Sequence, residues 1–122
     1  MHILLADDDE SVAMVARLGL RRAGFTVTVV DDGRAALAAA RATAFDALVL
    51  DWNMPDLDGI EVCRQLMADP SWTKVPVVFL TAAAHDGAEQ EALTAGACGV
   101  IFKPFDPMSV GEQVKALITP GA

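Results

Sequence analysis

The sequence predicts an α/β fold, a parallel sheet of five short strands with helices on both faces. Five apolar runs recur along the chain, each followed by a segment with helical periodicity, and most of them end on a carboxylate, hydroxyl or ammonium side chain. Continuous apolar runs are what strands buried on both faces look like. Right-handed crossovers bring the C-terminal ends of such strands to one edge, where open α/β sheets bind ligands.

Ile3 to Ala6 form the first run, which ends on Asp7-Asp8-Asp9. Asp9 and Ser11 offer capping oxygens to a helix on which Val12, Val15, Ala16, Gly19 and Ala23 make one apolar stripe, flanked by Met14 and Leu18. Arg21 and Arg22 suit the dipole of its last turn, and Gly24 stops it. Phe25 to Val30 are β-rich, and Asp31-Asp32-Gly33 turn the chain. Arg34 to Thr43 read as a helix dominated by Ala, with Leu37 its one large apolar side chain.

The third run, Ala47 to Leu50, ends on Asp51, and the Trp52 beside it reads as a packed aromatic. Asp56 and Asp58 read as turn-shaping and capping residues rather than metal ligands. Ile60, Val62, Cys63, Leu66 and Met67 support a helix ended by Asp69-Pro70. Pro76 to Leu80 make the fourth run, ending on Thr81. Asp86 to Ala95 are helical but weakly amphipathic, so this helix is expected to be loosely held. Gly99 to Phe102 make the fifth run, ending on Lys103-Pro104, and Val110, Val114, Leu117 and Ile118 stripe a final helix.

With 122 residues, 53% of them hydrophobic and no repeats or low-complexity linker, residues 1–122 are expected to form a single domain. Nine basic against 17 acidic residues give a net charge of −8, and without a basic cluster the chain is not expected to bind nucleic acid. No charged leader with a long apolar segment and no run of spanning length argue for a cytoplasmic chain away from the membrane. Cys63 and Cys98 fit no metal-ligand spacing and read as small buried hydrophobes rather than a disulfide. His85 reads as a solvated loop histidine.

The chemistry lies in the strand ends. If the first and third strands are neighbours, Asp7, Asp8 and Asp51 converge. Two carboxylates at about 4 Å repel by roughly 4 kcal/mol at an effective dielectric of 20, so a bound cation is the natural way to keep them ionised. Carboxylate ligands suit a hard cation of the magnesium type. Thr81 and Lys103 add a hydroxyl and a positive charge, so the edge suits a group with several anionic oxygens. Phosphoryl transfer to Asp51 is the reaction these residues suggest.

Four features together are specific: Asp7-Asp8 after the first strand, Asp51-x-x-x-Pro55 with Gly59 after the third, Thr81-Ala82 after the fourth, and Lys103-Pro104-Phe105 after the fifth. On these, from Ile3 to about Ile118, the chain resembles the receiver domain of bacterial two-component response regulators. The resemblance implies a doubly wound, flavodoxin-like sheet of order 2-1-3-4-5. It implies that Asp51 accepts phosphoryl from the phosphohistidine of a histidine kinase or phosphotransfer protein, or from acetyl phosphate. It implies Mg2+ held directly by Asp8, Asp51 and the backbone carbonyl of Asn53, with Asp7 acting mainly through water. Lys103, the Thr81 hydroxyl and the Ala82 N–H would hold phosphoryl oxygens, and the 86–95 helix, fifth strand and last helix would form an output face for a downstream protein or domain. Such a chain would not be a conventional enzyme, though it would assist its own phosphorylation and dephosphorylation.

The sequence departs from that pattern at Val100, where many relatives carry an aromatic switch residue three positions before the Lys. Phe102 lies on the same side of the strand and reads as packing beneath the flanking helices rather than replacing that switch. Ala83 offers no side chain to orient an attacking water. A cis bond before Pro104 and a homodimer through the output face are left open, the last helix lacking a dense alternation of charges. The alternative of a receiver fold binding partners without phosphorylation stands against the presence of all the acids, Thr81 and Lys103. A haloacid dehalogenase-type hydrolase would need an acid where Asn53 stands and room for a cap domain. A flavodoxin-like cofactor carrier would place phosphate on the acidic 7–9 segment.

Overall fold

The computed structural model describes residues 1–82 and 86–119. Strands β1 (His2–Ala6), β2 (Thr26–Val30), β3 (Ala47–Leu50), β4 (Val77–Thr81) and β5 (Gly99–Phe102) alternate with helices α1 (Glu10–Arg22), α2 (Gly33–Ala42), α3 (Gly59–Ala68), α4 (Ala88–Ala95) and α5 (Val110–Ile118). All paired strands are parallel and the order is β2-β1-β3-β4-β5, as the resemblance implies. Among the described residues, no helix is long and apolar enough to cross a membrane.

Strand alternation divides the core into two layers. Leu4, Ala6, Leu48, Leu50, Val77 and Phe79 pack with Ala36 and Ala40 of α2, Ile60, Val62, Cys63 and Leu66 of α3, and Ala88, Ala92 and Ala95 of α4. Ile3, Leu5, Ala47, Val49, Val78 and Leu80 pack with Ala16 and Leu20 of α1 and Val110, Val114 and Ile118 of α5. Full burial of each large side chain stabilises the fold by about 1.5–3 kcal/mol. Three helices begin on aspartates: Asp9 accepts from the N–H of Ser11 and Val12, Asp32 from Ala35, and Asp58 from Glu61. The capping read for Asp58 holds, and Asp56 shapes the preceding turn at φ 68°. The Lys103–Pro104 bond is cis.

Several boundaries and faces differ from expectation. Phe25 lies outside β2 but is buried, and α4 starts two residues after Asp86. The buried face of α1 is Ala13, Ala16, Gly19 and Leu20, whereas Val15, Met14 and Leu18 are exposed. α1 must meet α5 as well as the sheet, and that second contact rotates the inward face toward Leu20. Cys63 is buried, but Cys98 is exposed just before β5, where its N–H donates to the Val77 carbonyl; both thiols are free. Phe102 does not pack beneath helices: it ends an edge strand and is 43% exposed. Val100 is half-buried against the α2–α4 layer.

α1 and α5 touch through glycines. A Cβ on Gly19 would lie 2.5 Å from Val110 Cγ1, and one on Gly111 would overlap the Ala23 methyl and lie 2.8 Å from the Gly19 carbonyl oxygen. Gly111→Val is therefore expected to lower stability by about 2–3 kcal/mol through overpacking. Urea unfolding measures this, and an unchanged midpoint would show that the helices separate freely.

Candidate functional site

Parallel pairing continues one residue past the strands. The Asp7 N–H donates to the Val30 carbonyl (3.1 Å), that of Asp51 to Ala6 (2.8 Å) and that of Lys103 to Thr81 (2.7 Å). These bonds hold Asp7, Asp51 and Lys103 at one level of the sheet edge. Carboxylate oxygens of Asp7, Asp8 and Asp51 lie within 4.8 Å of one another, a group that could hold a metal ion. Asp7 and Asp51 are only 2% and 7% exposed, while Asp8 faces solvent.

Among the described residues, one ammonium answers this charge. Lys103 Nζ lies 3.0 Å from Asp7 Oδ2 and 3.4 Å from Asp51 Oδ2. The other oxygen of Asp7 accepts the Asp9 N–H at 2.9 Å, so both its oxygens are engaged. Burial, reinforced by the charge of Asp7, pushes the Asp51 carboxyl up to about 6 against the pull of Lys103. Burial works against the charge of Lys103, yet the hydrogen bond it donates to Asp7 and the charges of Asp51 and Asp7 outweigh it and hold the ammonium above its ordinary value.

The remaining expected residues surround this group unevenly. Thr81 is fully buried at the end of β4, and Ala82 beyond it is exposed. Asn53 lies on the exposed loop between β3 and α3, two residues beyond Asp51. Trp52 is 7% exposed and packs on Phe79 at 5.5 Å between ring centroids, the packed aromatic expected. Ala83 and His85 lie outside the described residues.

Two features were missed in the sequence. Lys103 pairs with Asp7 as well as with Asp51, and no local signal links residues 96 positions apart. Gly59 does more than turn the chain: a Cβ there would overlap the Asp51 carbonyl oxygen and lie 2.9 Å from Phe79 Cε1. Its N–H also donates to the Trp52 carbonyl at 2.8 Å, closing the base of the loop.

This ordering of acids, hydroxyl and ammonium agrees with a match of residues 3–115 to the family model described as the response regulator receiver domain. The chain belongs to that family. Receiver domains are signalling domains that work with histidine kinases and output domains. The chemotaxis protein CheY of Pseudomonas aeruginosa is 37% identical over 118 residues, which cover 96% of this chain and 95% of that protein. The alkaline phosphatase synthesis transcriptional regulatory protein PhoP of Bacillus subtilis is 38% identical over 95% of this chain but only 48% of its own length. The chain thus spans about half the length of that relative. Among solved structures, the receiver domain of the Pseudomonas aeruginosa sensor histidine kinase PA1611, with a magnesium ion coordinated in its active site cleft, superposes with a TM-score of 0.84 at 32% identity, covering 96% of each chain. The chemotaxis response regulator CheY4 of Vibrio cholerae gives 0.86 at 30% identity, covering 95% of this chain and 97% of its own.

The raised Asp51 carboxyl gives the receiver domain a pH signature. An unfolded Asp loses its proton near 3.9, the folded one near 6. The contribution of Asp51 to the stability of the metal-free protein therefore falls as pH rises through that window, because the folded state is the one that holds the proton. Asp51→Asn should stabilise the metal-free protein by about 1–2 kcal/mol above pH 7, less than the full shift because solvent at the open edge screens it. The gain should vanish near pH 4; urea midpoints in EDTA test this, and a variant less stable than the parent at neutral pH would contradict it.

Proposed function

We propose that residues 1–122 form a single cytoplasmic receiver domain whose Asp51 accepts a phosphoryl group from a histidine kinase or phosphotransfer protein in a magnesium-dependent reaction. The observation that carries this reading is the convergence of Asp7, Asp8 and Asp51 within 4.8 Å beneath one bridging Lys103. The donor set is all oxygen, which fits a hard dication. Asp8 and Asp51 would hold it directly with the Asn53 carbonyl, and Asp7 through water, since its own oxygens are occupied by Lys103 and the Asp9 N–H. When bound, magnesium neutralises charge on the acceptor and the phosphoryl oxygens.

This chain's own residues then do the rest. An Asp51 carboxylate oxygen attacks phosphorus, an O–P bond forms, and the bond from phosphorus to the donor nitrogen breaks with its electron pair leaving on the imidazole. Lys103, already 3.4 Å from the acceptor, pairs with a phosphoryl oxygen, and the Thr81 hydroxyl and Ala82 N–H hold others. The product replaces a single negative charge by one near −2 with more acceptor oxygens.

The free energy of those new contacts biases the output face. α4 has no side-chain N-cap, buries only Ala88, Ala92 and Ala95, and leaves Leu93 42% exposed, while Phe102 of β5 is 43% exposed. A downstream protein or output domain reads that face, and the chain itself touches neither nucleic acid nor membrane.

The test is intact mass after incubation with acetyl phosphate and magnesium. One added phosphoryl group is expected, absent from Asp51→Asn and from an EDTA control, and formed about a hundredfold more slowly in Lys103→Ala. An adduct on Asp51→Asn would move the acceptor elsewhere. No adduct even at short quench times would favour a receiver fold that binds partners without phosphorylation.

A further inference from the structure

Gly33 opens α2 and is buried. Its φ is not among the positive values, so the backbone does not demand glycine there. Space does. A Cβ on Gly33 would overlap the Leu57 carbonyl oxygen and lie 2.6 Å from its carbonyl carbon and 2.8 Å from its Cβ. The hydrogen in that direction faces the carbonyl in a weak C–H···O contact.

Leu57 belongs to the loop that leads from Asp51 to α3. The base of that loop is pinned by the Gly59 N–H on the Trp52 carbonyl (2.8 Å), and its tip is a tight turn in which the Leu57 N–H donates to Pro55 (2.7 Å). Between them Asp56 holds a left-handed φ of 68°, a conformation that costs a non-glycine residue about 1 kcal/mol or more. A turn under such strain persists only where its surroundings hold it, and the first turn of α2 supplies one wall. That turn is itself held by Asp32, which accepts the Ala35 N–H at 2.7 Å and, at its carbonyl, the Ala36 N–H at 3.0 Å.

We propose that Gly33 is a positioning residue for the metal site: it seats the Leu57 turn against α2 and thereby fixes the direction of the Asn53 carbonyl. The inference rests on the magnesium reading above. A side chain at position 33 pushes the 55–58 turn off α2. Because the base stays pinned at Trp52 and Gly59, the displacement falls on Asn53 and Met54. Asp32 acts at one further remove, by holding the turn of helix that carries Gly33.

Magnesium titration by calorimetry and by Trp52 fluorescence, with thermal midpoints for each variant, tests this. Gly33→Ala should raise the magnesium midpoint by about tenfold, the loss usual when a group behind a ligand is disturbed. Gly111→Val, also crowded but between α1 and α5, should lower thermal stability and leave the magnesium midpoint unchanged. Asp32→Ala should weaken magnesium severalfold, while Asp32→Asn, which keeps a capping oxygen without the charge, should bind as the parent does. That pair decides the matter if Gly33→Ala fails to fold, and equal weakening by Asp32→Ala and Asp32→Asn would reduce the effect to charge and overturn the proposal. A folded Gly33→Ala with the parent's magnesium midpoint overturns it too. A parent that binds no magnesium would instead remove the metal reading itself, a distinct outcome.

Discussion

The structure depends on a charge imbalance confined to one sheet edge. Asp7, Asp8 and Asp51 meet there, with Lys103 paired to Asp7 and Asp51. Lys103 is shared between Asp7 and Asp51, and burial, reinforced by the charge of Asp7, holds the Asp51 carboxyl near 6 against the pull of that ammonium. In bulk water such a cluster would be relieved by solvation. Here Asp7 and Asp51 are nearly buried, and relief has to come from a bound cation or from a proton. A site in which three carboxylates meet one ammonium is suited to accept a metal.

The sheet makes this imbalance unavoidable. β1 and β3 are neighbours in exact parallel register, Ile3 opposite Ala47 through Ala6 opposite Leu50, so the residues that follow them must lie side by side. β4, with Thr81 at its end, lies between β3 and β5. Lys103 therefore reaches back across that strand end toward the acids, its stem covered and its ammonium held between two carboxylates. The buried Thr81 and Lys103 thus sit at neighbouring strand ends, joined by the Lys103 N–H on the Thr81 carbonyl.

Much of this was legible in the sequence, because continuous apolar runs and 3.6-residue periodicity report directly on what a two-faced parallel sheet must bury. Asp7, Asp8, Asp51, Thr81 and Lys103 could be placed at one edge by topology alone. What could not be read depended on contacts between distant segments. The inward face of α1 follows from its crossing with α5 at Gly19 and Gly111 and not from its own stripe. Phe102 and Cys98 read as buried from their apolar neighbours, yet one ends an edge strand and the other precedes it. Acidity was a poor guide by itself: Asp9, Asp32 and Asp58 are spent on helix caps, and only position at a strand end separates the site acids from them. The seats of Gly33 and Gly59 against backbone carbonyls leave no trace in composition or period.

The most direct measurement is a carbon-13 carboxylate NMR titration of Asp51 with and without magnesium. A carboxyl that titrates near 6 in the metal-free protein and well below that when saturated with magnesium is the predicted result. An Asp51 that titrates in the ordinary range near 4, or one whose titration ignores magnesium, would contradict the account, because the edge would then hold no unmet negative charge for a cation to relieve.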